Sequence, residues 1–312
     1  MMQKERISYL SEDGKSTIQA VRYLPENGEI IGVLQIIHGL SEYVERFEEV
    51  ASFMTERGFV VTGNDHLGHG KTLQKDQTPG YFCEKDSATV VINDVHSLKK
   101  MTKELYPDVP YIMLGHSMGS FIIRNYICQY SDDIDAAIIS GTGMQGKALI
   151  YSCKLIAKIQ NRLLGPKHVN KFLNYMTFDV NAKGFKPART NMDWLSKDEE
   201  RVDRYINDPL CGFPFTINGF LGLFDFICRL YNTENLKRIS KDLPIFIVSG
   251  KDDPVGNFGK GPQKLCGILK GLGLEKVDLK LYENVRHEWY NEPEKEEVMQ
   301  SLYEWIMKTM GA

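Results

Sequence analysis

Tyr111-Ile112-Met113-Leu114-Gly115-His116-Ser117-Met118-Gly119 is the stretch on which the reading of this chain turns. Its first four residues are an apolar run of strand length, and the residues from 117 to 130 carry a helical pattern. Ser117 therefore falls on a tight turn from strand to helix, the pattern of a nucleophile elbow. Glycines at 115 and 119 leave room for a strained backbone and for close packing of helix on strand. The Ser117 hydroxyl is then thrust out above the end of a sheet, where it becomes a candidate nucleophile.

A serine hydroxyl attacks poorly at neutral pH unless a base takes its proton and a carboxylate orients that base. After an elbow of this kind the expected chain order is serine, acid, histidine. The segment Ser249-Gly250-Lys251-Asp252-Asp253-Pro254 follows the apolar run 243–248 and offers two carboxylates. Either aspartate can serve. Asp253 is favoured, because the loop uses its first residues to clear the strand end and Pro254 then sets the turn that leaves it. The base is read as His287, in Asn284-Val285-Arg286-His287-Glu288, which lies between the last strand pattern and a C-terminal helix. A free imidazole titrates near 6.5, a value suited to a base at neutral pH.

Negative charge developing on a carbonyl oxygen needs preorganised donors. One backbone N–H is expected from Met118, and a second from Leu40 in the loop His38-Gly39-Leu40-Ser41-Glu42. His38 precedes the elbow, so it reads as support for this loop and not as the base. His116 reads as a packing residue.

Outward from the elbow, residues 30–37, 58–63, 111–114, 134–140, 243–249 and 277–282 are short runs rich in branched apolar residues, the mark of parallel strands buried on both faces. Residues 7–10 and 17–24, joined by Ser11-Glu12-Asp13-Gly14, predict an antiparallel hairpin at the start of the chain. Helical patterns over 46–56, 88–105, 117–130 and 293–310 alternate with the strands. This predicts an α/β chain with a mostly parallel, doubly wound sheet and active groups beyond the strand ends. The alternation stops after Gly141 and resumes near Leu243, a gap too long for a loop in a compact domain. Residues 142–239 are thus expected to be an inserted, mainly helical cap on a core made of 1–141 and 240–312. The cap opens with an amphipathic helix over 148–164. Its segment 211–231 is crowded with aromatic residues, most of which are expected to pack the cap while some line an acyl pocket or a membrane-touching face.

The chain has 312 residues, is 42% hydrophobic and 25% charged, and carries a net charge of -3, so no global positive field invites nucleic acid. No signal-peptide core or spanning segment is evident, and a cytoplasmic location is expected. Six scattered cysteines without a CxxC pair are expected to be reduced and mostly buried. Asn64-Asp65-His66-Leu67-Gly68-His69-Gly70 has the residue types of a metal site, but its turn glycines favour a structural loop. Neither a metal nor a cofactor is expected, since Walker-type and dinucleotide fingerprints are missing as well.

HGLSEYVERF from His38, NDHLGHGKT from Asn64, MLGHSMGS from Met113 and SGKDDPVG from Ser249 resemble the monoacylglycerol lipase and lysophospholipase family of α/β hydrolases. The resemblance runs the full length and includes DWLSKDEERVDRYINDPLCGF from Asp193, which looks like that family's exit from its cap. It implies the α/β-hydrolase fold, with nucleophile, acid and base on Ser117, Asp253 and His287 and oxyanion amides on Leu40 and Met118. Ser120 departs from the glycine common after the elbow. A monoacylglycerol or lysophospholipid substrate is implied, with transient membrane contact through the cap. The rivals are an esterase, amidase or thioesterase on short soluble acyl compounds and a non-catalytic acyl receptor, which typically lacks a triad member. A haloalkane dehalogenase would need aspartate at position 117.

Overall fold

The computed structural model describes residues 2–185 and 188–311. The ends of the expected core, residues 1 and 312, and residues 186–187 of the expected cap lie outside them. Eight strands form one sheet: β1 (Gln3–Leu10), β2 (Thr17–Leu24), β3 (Gly32–Ile37), β4 (Phe59–Asn64), β5 (Tyr111–His116), β6 (Ala136–Ser140), β7 (Ile245–Gly250) and β8 (Val277–Tyr282). Their spatial order is β1-β2-β4-β3-β5-β6-β7-β8. The hairpin β1/β2 is antiparallel and joins β4 antiparallel, and every later pair is parallel.

The helices are α1 (Glu48–Thr55), α2 (Ser87–Leu105), α3 (Met118–Tyr130), α4 (Lys147–Leu164), α5 (Lys171–Asn174), α6 (Val180–Ala182), α7 (Glu199–Asn207), α8 (Ile217–Arg229), α9 (Thr233–Leu236), α10 (Lys260–Gly271) and α11 (Lys295–Met310). Strand side chains alternate between two faces, and each face has its own core. Tyr111 and Met113 of β5 enter the core that holds α2, α3, α8 and α10, whereas Ile112 and Leu114 enter the one that holds α1 and α11. The sheet is therefore covered on both sides, as continuous apolar strands require. Gln35, wholly buried in β3, is satisfied by donating to the Val95 carbonyl and accepting from Tyr111 Oη.

Two differences from the sequence reading are local. The helix expected from residue 46 begins as a 3₁₀ turn, Val44–Phe47, before α1. Helix α10 was not foreseen, because Lys260-Gly261-Pro262 and Gly267 blur its periodicity. Between β6 and β7 the chain runs through α4 to α9 and makes no strand of the sheet among the described residues.

Candidate active site

The candidate groups all follow the carboxyl ends of parallel strands, where crossover connections leave a crevice. The turn after β5 places Ser117 at φ 54°, ψ -117°, a conformation that non-glycine residues rarely hold. The glycines around it are needed for space. A methyl group on Gly115 would strike the Gly119 carbonyl, and one on Gly119 would strike the Ile37 carbonyl. Ser120, the residue that departs from the family pattern, is fully buried, and its hydroxyl donates to the Ser117 carbonyl at 2.5 Å.

Asp253 follows β7 and His287 follows β8. Asp253 Oδ1 lies 3.0 Å from His287 Nδ1, and His287 Nε2 lies 2.9 Å from Ser117 Oγ. The same Oδ1 accepts the Val255 N–H at 2.9 Å, and Oδ2 accepts the Ser249 hydroxyl at 3.3 Å. With Oδ1 accepting from Nδ1–H, Nε2 is left free to accept the serine proton. Asp252 is partly exposed, and its backbone N–H is spent on the Val285 carbonyl, so of the two aspartates it is Asp253 that reaches the imidazole. That backbone bond, with Lys251 N–H to the Tyr282 carbonyl, ties the acid loop to the base loop. Burial lowers the pKa of His287, but the Asp253 carboxylate, with Glu288 and Glu42 adding to it, outweighs burial and the net shift is upward.

Leu40 and Met118 both line the cavity onto which Ser117 and His287 open. The loop bearing Leu40 is held from several sides. Glu42 Oε1 accepts the Gly39 N–H at 2.5 Å, and Ser41, at φ 54°, donates its hydroxyl to the Phe213 carbonyl. His38 Nε2 accepts the His66 N–H at 3.0 Å while Nδ1 donates to the Gly39 carbonyl at 2.8 Å. His38 thus braces the loop through a single tautomer.

The other histidines near the site are neutral. Burial pushes His66 down to about 3 and His69 down to about 4. Burial, followed by the nearby His287, holds His116 well below the ordinary imidazole value. His116 packs 4.8 Å from the His287 ring and shares Ser140 Oγ with Trp289 Nε1. Asp65 accepts the N–H groups of Val44 and Lys71, which makes the Asn64–Gly70 stretch a structural loop beneath the site. Among the described residues no group of three or more His, Cys, Asp or Glu side chains is arranged to hold a metal ion. The six cysteines are free thiols, five of them buried.

One buried cluster escaped the sequence reading. Arg46 forms a fork on Glu288, with both Nη atoms 2.7 Å from its carboxylate oxygens, and also donates to Glu42 at 2.5 Å. The Tyr290 hydroxyl completes Glu42, and the Tyr205 ring stacks 4.8 Å from the guanidinium. The i, i+4 spacing of Glu42 and Arg46 was legible as a helix-type pair. Nothing local announced that Glu288, 242 residues further on, would be the second acid.

The cavity has a volume of about 420 Å³. Of the aromatic-rich 211–231 segment only Leu223, Phe224 and Ile227 line it, while Phe215, Phe220 and Phe226 are fully buried core.

A mostly parallel sheet flanked by helices, with a serine on the strained turn after its fifth strand, defines the α/β-hydrolase class, and this chain is a serine hydrolase of that class. The family model described as Hydrolase_4, serine aminopeptidase, S33 matches residues 28–294, and the chain belongs to that family. It is 26% identical to a monoacylglycerol lipase of Mycolicibacterium smegmatis, over 88% of each chain. It is 28% identical to a monoglyceride lipase of Saccharomyces cerevisiae, over 91% of this chain and 87% of the relative. Among solved structures, a thermostable carboxyl esterase from Bacillus coagulans in complex with glycerol superimposes with a TM-score of 0.91 at 28% identity, covering 99% of both chains. Among the described residues no helix is long and apolar enough to cross a membrane.

Proposed function

We propose that the protein hydrolyses single-chain lipid esters of the monoacylglycerol type through an acyl-enzyme on Ser117. The observation that carries this reading is the continuous hydrogen-bond chain from Asp253 through His287 to Ser117, ending in an apolar-walled cavity. His287 Nε2 takes the hydroxyl proton as Ser117 Oγ attacks the acyl carbon. Asp253 holds the ring in the needed tautomer and offsets the charge of the imidazolium. The backbone N–H groups of Leu40 and Met118 meet the oxyanion, each worth a few kcal/mol in reactions of this kind. The imidazolium then protonates the departing alcohol, and water activated by the same ring releases the fatty acid. Residues 142–239 serve as the cap that roofs the acyl site.

The cavity wall favours an uncharged head group. Among the described residues its charged side chains are the carboxylates Glu42 and Glu288, and neither lysine nor arginine lines it. Arg46 is already paired with both carboxylates, so a lysophospholipid phosphate brought near them finds no unpaired cation in the described lining. The cap also carries apolar side chains that water does not favour, among them Leu155 at 60% and Leu163 at 74% exposure. They support transient contact with a lipid surface from which the substrate is drawn.

The test is Ser117→Ala measured on monoacylglycerol and on a soluble nitrophenyl ester, together with fluorophosphonate labelling. Turnover is expected to fall by at least about a thousandfold, with labelling abolished and the fold intact. Labelling that persists on another residue would sink the assignment, and wild-type binding of acyl compounds without turnover would favour the receptor reading. Faster cleavage of short amides or thioesters than of long-chain monoacylglycerols would favour the soluble-substrate rival.

A further inference from the structure

Arg124, in the second turn of α3, is 4% exposed, and among the described residues no acid pairs with it. Its Nη1 donates to the Thr142 hydroxyl at 3.2 Å and to the Gly143 carbonyl at 3.1 Å, and Nη2 rests 3.1 Å from the Met144 thioether. Nε has no hydrogen-bond partner among the described residues. The ionisable groups that act on the guanidinium are the Cys128 thiol and the Tyr231 phenol, both neutral at pH 7, and burial lowers its pKa only to about 10. A buried cation held this way keeps its charge without a counterion, an arrangement that proteins otherwise avoid.

Its surroundings adjoin the active site. A small second cavity is walled by Arg124 and Tyr231, and it shares Phe121, Met144, Gln145 and Ile227 with the catalytic cavity. Met144 stands between the two. A thioether is a weak acceptor on an unbranched, adaptable side chain, so it is readily displaced by a stronger one. Arg124 lies seven residues beyond Ser117 along one helix, which separates the two by roughly 10 Å. Gln145 adds an amide whose Oε1 has no partner among the described residues. A side-chain amide can turn its NH₂ toward an incoming acceptor.

We propose that Arg124 forms an anion subsite behind Met144, which receives a carboxylate at the far end of a medium-length acyl chain while the ester carbonyl lies at Ser117. The inference rests on Ser117 being the acyl-accepting residue. It extends the substrate class from plain fatty-acyl esters to half-esters of dicarboxylic acids, the products of oxidising the far end of a fatty chain.

The experiment compares kcat/KM of the wild type on three nitrophenyl esters of equal chain length: the octanoate, the suberate half-ester and its uncharged suberamide analogue. The suberate ester is expected to exceed the suberamide roughly tenfold or more, the worth of a buried charge-assisted hydrogen bond. In Arg124→Met the suberate-to-suberamide ratio should fall to near one. A wild-type ratio near one, or a high ratio that survives in Arg124→Met, overturns the proposal, and the residue then only clamps the 142–144 backbone. A wild-type ratio near one is decisive by itself, and if Arg124→Met does not fold, Arg124→Gln makes the same comparison with the charge removed. Octanoate turnover with no suberate preference rejects the subsite alone, whereas failure on all three esters rejects the Ser117 reading and the subsite with it.

Discussion

Helices α3 and α4 are both rich in apolar residues, yet they meet opposite environments. In α3, eleven residues from Met118 to Cys128 are buried, and the helix packs on β3, β5 and β6 and against α2 and α8. In α4 only Ile150 and Ala157 are buried, and Leu149, Leu155, Ile159, Leu163 and Leu164 are more than half exposed. The helix that follows the nucleophile is pinned on every side, which is what lets the turn before it hold Ser117 at positive φ. The helix over the cavity is held along one face and leaves the other to an apolar medium or to water. Close packing is concentrated under Ser117, and exposed apolar surface lies over the cavity, where the proposed function would have a lipid enter.

The largest expected effect tests the rigid side. Asp253→Asn leaves the shape of the loop and removes the charge that orients His287, so kcat should drop by roughly 10⁴. The pH dependence carries the sign of the electrostatics. Because the His287 pKa is raised, the imidazole stays protonated and idle to a higher pH than a free one. Wild-type kcat/KM should therefore climb through an acid limb lying above about 6.5. In Asp253→Asn the residual activity should show that limb at lower pH, and an unmoved limb would mean that another group sets it. The same pairing lends the fold stability that is fully present below the unfolded pKa of about 6.5 and is lost as pH rises through the folded value.

A smaller loss is expected where the loops are joined. Arg46→Met leaves Glu42 and Glu288 buried without their shared cation, so denaturant melts should show a loss of about 3 kcal/mol or more. Glu42 holds the Gly39 N–H, so kcat should also fall more than KM rises. Equal stability in wild type and variant would mean that the carboxylates find other partners.

The smallest effect on the molecule itself is expected on α4. The double variant Leu155→Ser with Leu163→Ser should change stability by less than about 0.5 kcal/mol per site, since both side chains are already in water. Turnover of a soluble nitrophenyl ester should be unchanged, while turnover of monoacylglycerol presented in phosphatidylcholine vesicles should fall. Equal rates on vesicles would remove the lipid-surface role from this face and leave the contrast between the two helices without a functional meaning.

Much of this arrangement was written locally. Elbow glycines, strand runs and the hairpin turn are short-range signals, because they record steric and burial demands on a few adjacent residues. Seven of the eight strands lie where the runs predicted them and β1 begins four residues earlier than expected, while Ser117, Asp253 and His287 come within hydrogen-bond distance from loops that sequence order had singled out. Asp253 and Asp252 have the same chemistry and adjacent places, so the preference between them rested on how a loop leaves a strand. Contact with His287 is a three-dimensional fact. The amphipathic pattern over 148–164 likewise predicted a helix without saying how little of its apolar face would be covered.

The sequence by itself determined the fold class, the turn that raises Ser117, and the order of the groups that meet it, because each depends on periodicity and turn chemistry within about ten residues. Only the tertiary structure decided which carboxylate reaches the imidazole, that Glu288 and Glu42 share Arg46, and that Arg124 is sealed behind Met144 without an acid. These outcomes depend on distances between segments far apart in the chain. Charge and burial act through space, and no local pattern records the neighbours that the fold supplies.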